Sequence, residues 1–252
     1  MCTVVILRRP GHDWPLVLAA NRDEMLARPW RSPARHWGDR PNVVAGLDEL
    51  AGGSWLGMND EGVVAGVMNR VDSLGPAPGR RSRGELVLEA LDHAEARVAA
   101  RALADLNPEA YRSFNLVVAD AREAFWLRHL GTDGPGRIEV MPLPEGLSML
   151  TAHDLNDARS ARIRAYLPRF REARAPDPGA GDWSQWPQLL GERAFDPADG
   201  PPGAMSFSTE GGFGTVCGAL IALPAAGRFD LKPVWCFAAG PPDRTPFGPV
   251  RW

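Results

Sequence analysis

The chain has 252 residues, a formal net charge of −3, 44% hydrophobic and 23% charged residues. A chain this long buries roughly three quarters of its unfolded surface, and the ordinary composition excludes a disordered or fibrous protein. The near-neutral charge excludes the basic footprint of a general nucleic-acid binder. Residues 3–7 and 15–20 are β-type runs around Arg9-Pro10-Gly11-His12-Asp13, a strand, turn, strand signal. An Arg-, Pro- and Trp-rich loop is expected at 29–33, then strands at 43–46, 54–58 and 63–68 and a loop over 71–81. The period then changes. Ser82-Arg83-Gly84-Glu85 matches a capping box, and Leu86, Ala90, Leu91, Ala94 and Val98 fit one helical face. A second helix is expected before Asn107-Pro108, then strands at 114–119, 124–127, 138–141 and 147–151. A helix is expected from Asp157, with Ile163, Tyr166, Leu167 and Phe170 on its stripe. A short helix over 183–190 and apolar runs at 216–223 and 231–238 follow.

This order is not the strict alternation of a doubly wound parallel sheet. Neither a G-x-G-x-x-G after a strand nor a P-loop occurs. A four-layer αββα sandwich of the α+β class accommodates the order in a single domain over 1–252. The three cysteines, Cys2, Cys217 and Cys236, are too few and too scattered for a disulfide framework or a zinc site. Cys217 and Cys236 lie in apolar runs and are expected in the core. The first residues lack a signal-peptide pattern, and no run approaches the ~18 apolar residues of a membrane helix. The expectation is a cytoplasmic protein with reduced thiols and no membrane span.

Cys2 stands apart because of its place. The small side chain permits removal of Met1, which would put a thiol and a free α-amine on one residue. An α-amine has a pKa near 7.7–8.0, so it can take the thiol proton, and the thiolate is the nucleophile. The residues alone also allow a buried first-strand cysteine with Met1 retained. After the apolar run 16–20 come four polar residues, Asn21-Arg22-Asp23-Glu24. A short hairpin would set them beside Cys2. Asp23 could then accept from or orient the amine, and Arg22 could stabilise a thiolate or hold an acidic substrate group. A solvated turn with an Arg–carboxylate pair reads as well.

Met1-Cys2, Leu18-Ala19-Ala20-Asn21-Arg22-Asp23-Glu24 and Arg28-Pro29 together resemble the NRDE family, whose eukaryotic members are called transport and Golgi organisation proteins. Trp37-Gly38, Gly46-Leu47-Asp48, Gly52-Gly53-Ser54-Trp55-Leu56-Gly57, Arg83-Gly84-Glu85-Leu86-Val87, Phe114-Asn115-Leu116 and Gly214-Thr215 extend the resemblance over nearly the whole chain. The family is similar to N-terminal-nucleophile (Ntn) hydrolases of αββα fold, and within them to choloylglycine hydrolases and penicillin acylases that start with Cys. The resemblance implies Asp23 at the end of the second strand as a catalytic Asp and Asn69 as an oxyanion-hole donor. Three positions depart from that class. Ala20 stands where the hydrolases have an Arg. Thr151-Ala152-His153-Asp154-Leu155-Asn156 lacks their second Asn at its usual place, so His153 or Asn156 must substitute, or the role is absent. Their late Arg has no match near Gly214-Thr215-Val216-Cys217.

His153-Asp154 suits acid–base work, a metal ligand or the cap of the following helix. His12, His36, His93 and His129 show no metal-ligand spacing, and no metal is expected. Trp30, Trp37 and Trp55 flank the NRDE region and would suit an apolar pocket for an acyl chain or planar ring. Arg80-Arg81-Ser82-Arg83 reads as an anion site or a solvated helix start. The expected activity is Ntn-type hydrolysis of an amide or thioester, with Cys2, Asp23 and Asn69 catalytic. Asn21, Arg22, Glu24, Trp55, His153 and Asn156 would bind substrate. The resemblance also implies an alternative, a non-catalytic carrier of haem or of acyl-CoA and lipid. No cofactor is required for hydrolysis. A haem would be held noncovalently, since C-x-x-C-H is absent. The expected partner is a small or lipid-like molecule.

Overall fold

The computed structural model describes residues 2–131, 134 and 136–251. In chain order the elements are β1 (Thr3–Arg8), β2 (Leu16–Met25), β3 (Trp30–Ala34), β4 (Val43–Asp48), β5 (Leu56–Asn59), β6 (Val64–Asn69), α1 (Gly84–Leu91) and α2 (Ala96–Ala104). There follow β7 (Phe114–Ala119), β8 (Ala124–His129), β9 (Glu139–Pro142), β10 (Gly146–Leu150), α3 (Ala161–Glu172), α4 (Trp186–Leu190), β11 (Phe213–Leu223), β12 (Val234–Ala238) and β13 (Gly248–Pro249). They form two compact units, one from the residues up to Arg28 with Pro144–Val250, the other from Pro29–Leu143.

The first unit holds a six-stranded antiparallel sheet in the order β10-β1-β2-β11-β12-β13. Its odd-numbered positions Val5, Val17 and Ala19 pack against Ile163, Tyr166, Leu167 and Phe170 of α3 and Trp186 of α4. Phe170 and Trp186 meet edge to face at 5.5 Å. Strand residues alternate between faces, so the even-numbered positions of β1 and β2 point away from these helices. Leu16 and Leu18 are buried there too, which is why β2 reads as an unbroken apolar run.

The second unit is a seven-stranded antiparallel meander, β3 to β9 in sequence order. Leu86 and Leu91 of α1 and Ala99 and Leu103 of α2 pack with Val43, Ala65, Leu116 and Leu127 of the sheet. Gly53 and Gly84 touch backbone to backbone: a Cβ on Gly53 would lie 2.5 Å from the Gly84 carbonyl carbon. The Ser54 N–H donates to the Gly84 carbonyl at 3.1 Å. Two motif pieces distant in sequence are thus one contact, in which only glycine fits.

Several expectations need correction. The 82–85 capping box does not form: α1 begins after Arg83 with no side-chain cap, Ser82 Oγ accepts from the Gly84 N–H, and Glu85 pairs with Arg81. The expected single face through Ala94 and Val98 is broken at 92–95, and Val98 is exposed on α2. The helix expected from Asp157 starts at Ala161, where Ser160 caps it by accepting from the Ile163 N–H. The 29–33 loop is instead β3, an edge strand whose polar residues hide its pairing with β4.

Candidate active site at the start of the first strand

The register of three neighbouring strands builds the site. Thr3 of β1 lies opposite Asn21 of β2, and Thr215 of β11 lies opposite Asp23. Paired residues share a face and successive residues alternate. Thr3, Asn21, Asp23 and Thr215 therefore face α3 and α4. Between Thr215 and Cys217 the register shifts, leaving Val216 without a partner residue and setting Cys217 opposite Arg22. This bulge turns Cys217 to the far face, beside Arg22. Continuing the β1 register one residue back puts Cys2 opposite Arg22 on that face. Cys2, Arg22 and Cys217 make one row across three strands.

Cys2 is half-buried. The Asp23 backbone N–H donates to its sulfur. Burial pushes the Cys2 thiol up from its ordinary pKa, and the negative charge of Asp23 adds to this, while Arg22 opposes it. Cys217 is fully buried and its thiol too is pushed up, chiefly by desolvation. At neutral pH both cysteines therefore hold their protons, and Cys2 needs a base before it can attack.

On the helix face Asp23 is fixed from two sides. Arg162 Nη1 donates to Asp23 Oδ2 at 2.8 Å and to Thr3 Oγ1, with side-chain exposures of 4% for Arg162 and 0% for Asp23. Thr215 Oγ1 donates to Asp23 Oδ1 at 2.8 Å. The Arg162 guanidinium also lies over the Phe207 ring, 5.4 Å from its centroid. Asn21 Nδ2 donates to the Leu190 and Met205 carbonyls, each at 2.9 Å. So the block expected as either a strand end or a solvated turn is strand, and Asn21, Arg22 and Asp23 are all buried. Glu24 is half-buried and pairs loosely with Arg22 at 3.9 Å and Arg28 at 3.8 Å.

A cavity of about 100 Å³ opens at the head of α3, lined by Thr151, His153, Ser160, Arg162 and Asp199 among others. Ordinary ligand sites run roughly 300–1,000 Å³, so this cavity is smaller than those.

The family profile described as Transport and Golgi organisation 2 (TANGO2) matches residues 1–172. The chain belongs to the TANGO2 family. The Transport and Golgi organization protein 2 homolog of Bos taurus is 38% identical over 110 residues, 42% of this chain and 38% of that protein. The Homo sapiens homolog is 34% identical over 139 residues, 53% of this chain and 50% of that protein. The matched part thus spans half or less of these relatives' length. Among solved structures, the N-acylethanolamine-hydrolyzing acid amidase ortholog of Caenorhabditis elegans is similar with a TM-score of 0.56 at 13% identity, covering 90% of this chain and 94% of that one. A variant of the conjugated bile acid hydrolase of Clostridium perfringens is similar with a TM-score of 0.53 at 11% identity, covering 100% and 97%. These likenesses establish the fold: the TANGO2-family chain has the Ntn-hydrolase fold expected from its sequence.

In this TANGO2-family chain the remaining expected site residues are placed as follows. His153 is half-buried on the cavity wall. Asn156, at φ +57°, accepts from the Met149 N–H at 2.8 Å and donates to Ser148, so its amide closes the turn after β10. Asn69 and Trp55 belong to the second unit. Asn69 ends β6 opposite Phe114, half-buried, and Trp55 meets Trp30 edge to face at 5.7 Å while filling the space above Gly46. The 80–83 arginines are occupied by the fold: Arg80 donates to the Glu109 and Tyr111 carbonyls, Arg81 pairs with Glu85 and Glu89, and Arg83 donates to the Ser73 and Ser113 carbonyls.

Thr3, Arg162, Thr215 and Cys217 are site residues that sequence reading missed as such. Arg162 carried a signal: it precedes Ile163 and stands four residues before Tyr166, a charge on the buried stripe of α3. Gly214 holds this corner closed, since a Cβ there would lie 2.4 Å from the Phe207 carbonyl oxygen. Gly214→Ala is expected to destabilise the protein by about 1–3 kcal/mol through overpacking against backbone. A urea unfolding midpoint equal to that of the unaltered protein would refute this.

Proposed function

We propose that this chain is an Ntn-type cysteine hydrolase acting on an amide or thioester of acyl type, with Cys2 as nucleophile. The observation that carries the reading is the seating of the Cys2 thiol: half-buried at the head of β1, receiving the Asp23 N–H, in one row with Arg22. A thiol whose pKa is raised by burial needs a base beside it. Loss of Met1 would free the α-amine of the same residue to take that proton. The thiolate then attacks the substrate carbonyl, and a backbone N–H holds the oxyanion. The protonated amine returns its proton to the leaving amine or thiol, and water releases the acyl group from Cys2. Arg22 suits an acidic substrate group. Three free thiols accord with a reducing, cytoplasmic setting.

Intact-mass measurement before and after exposure to a panel of N-acyl amides and acyl-CoA thioesters tests the reading. The expected result is a chain lacking Met1 that gains one acyl mass, located on Cys2 by peptide mapping. Retention of Met1, or noncovalent binding that survives Cys2→Ala with no adduct on the unaltered protein, would instead support a carrier.

A further inference from the structure

Arg162 is a charged residue on the apolar stripe of a helix, and burying a charge is costly unless it is paired. One of its guanidinium nitrogens, Nη1, reaches both Thr3 Oγ1 and Asp23 Oδ2. These two residues flank the Cys2 sulfur: Thr3 is its chain neighbour, and the Asp23 N–H donates to it. Alternation places Arg162 on the opposite face of the sheet from that sulfur, so any effect on the thiol must pass through the strands. The late Arg of the cysteine Ntn hydrolases has no counterpart at 214–217. Thr215 stands there and takes the other Asp23 oxygen, while the cation against Asp23 arrives from α3.

We infer that Arg162 is a positioning residue for Cys2: by clamping Thr3 and Asp23 to one guanidinium, it holds the Asp23 N–H against the sulfur. The clamp ties β1 to β2 at the residue on each side of the thiol, and the Thr215 bond ties β2 to β11. Releasing it lets the Asp23 amide move relative to Cys2 without removing any group that touches the sulfur. A misplacement of about 1 Å in such a site can slow chemistry by up to about a hundredfold. The charged and titratable groups acting on the thiol are the N-terminal ammonium, which favours the thiolate, Asp23 and Arg22 from β2, and Cys217 from β11.

The inference rests on Cys2 being the reactive thiol of the proposed function, but it needs no substrate. The test is the rate of Cys2 alkylation by iodoacetamide from about pH 6 to 10, located by peptide mass, in the unaltered protein, Arg162→Met and Arg162→Lys. Far-UV circular dichroism and urea midpoints report the fold. Arg162→Met is expected to alkylate roughly tenfold more slowly or worse at pH 8, with its pH midpoint moved upward. Arg162→Lys, which keeps a cation against Asp23, is expected to recover a large part of the rate. A folded Arg162→Met with unchanged rate and midpoint overturns the inference, as does equal loss in Met and Lys variants. Should Arg162→Met not fold, Thr3→Val removes one arm of the clamp with little change in shape. It is expected to slow alkylation several-fold, and an unchanged rate again overturns the inference. Inert Cys2 in the unaltered protein would count against the nucleophile reading itself, whereas a reactive Cys2 indifferent to Arg162→Met would sink the clamp alone.

Discussion

Cys2→Ser is expected to lower turnover of the amide or thioester that acylates the protein by at least about a thousandfold, since removing a nucleophile typically costs on the order of 10³–10⁶ in rate. The hydroxyl occupies nearly the same space, and Cys2 is only half-buried, so the fold should survive. What is lost is acidity. The α-amine is matched to a thiol, even one raised by burial, and poorly matched to an alcohol. Single-turnover kinetics on the folded variant measure the loss at the chemical step. A variant retaining more than about a tenth of the rate would contradict the dependence of the reaction on a thiolate at position 2.

Asp23→Ala is expected to destabilise the protein by about 3–5 kcal/mol, the usual cost of removing one partner from a buried ion pair. The 4% and 0% side-chain exposures of Arg162 and Asp23 put this pair in that class. The exposed pair of Arg228 and Asp230 provides the contrast, and Asp230→Ala should change stability little. Removing both charges of the buried pair, as Asp23→Leu with Arg162→Met, should recover much of the loss, because no uncompensated charge then remains inside. Urea unfolding of the three variants reads the effect. A loss below about 1 kcal/mol for Asp23→Ala would show that water reaches this pair.

Much of the fold was legible from periodicity. The alternation and apolar runs of β1, β2, β6, β7 and β11 are read directly, because a strand buried on both faces leaves a continuous apolar signature. The stripe of α3 is read in the same way, from Ile163, Tyr166, Leu167 and Phe170. The misreadings cluster where local pattern competes with tertiary contacts. The Ser82–Glu85 spacing matches a capping box, yet Arg81 draws Glu85 away and the Gly53–Gly84 contact sets where α1 begins. β3 carries polar residues on an edge strand, so no apolar alternation announces it.

For the candidate site, the sequence by itself determined the placement of Cys2 at the head of the first strand and of Asn21-Arg22-Asp23-Glu24 at the end of the second, because a short hairpin leaves little freedom between them. It also carried enough matching residues to imply the fold. Only the tertiary structure decided which face each side chain takes and who answers it. The bulge at Val216 turns Cys217 toward Arg22, and an unpaired residue in a ladder has no local signature in an apolar run. The buried partner of Asp23 comes from Arg162, 139 residues away. Such a pairing depends on how α3 lies across the strand ends, and that is settled by packing of the whole apolar stripe, not by any spacing along the chain.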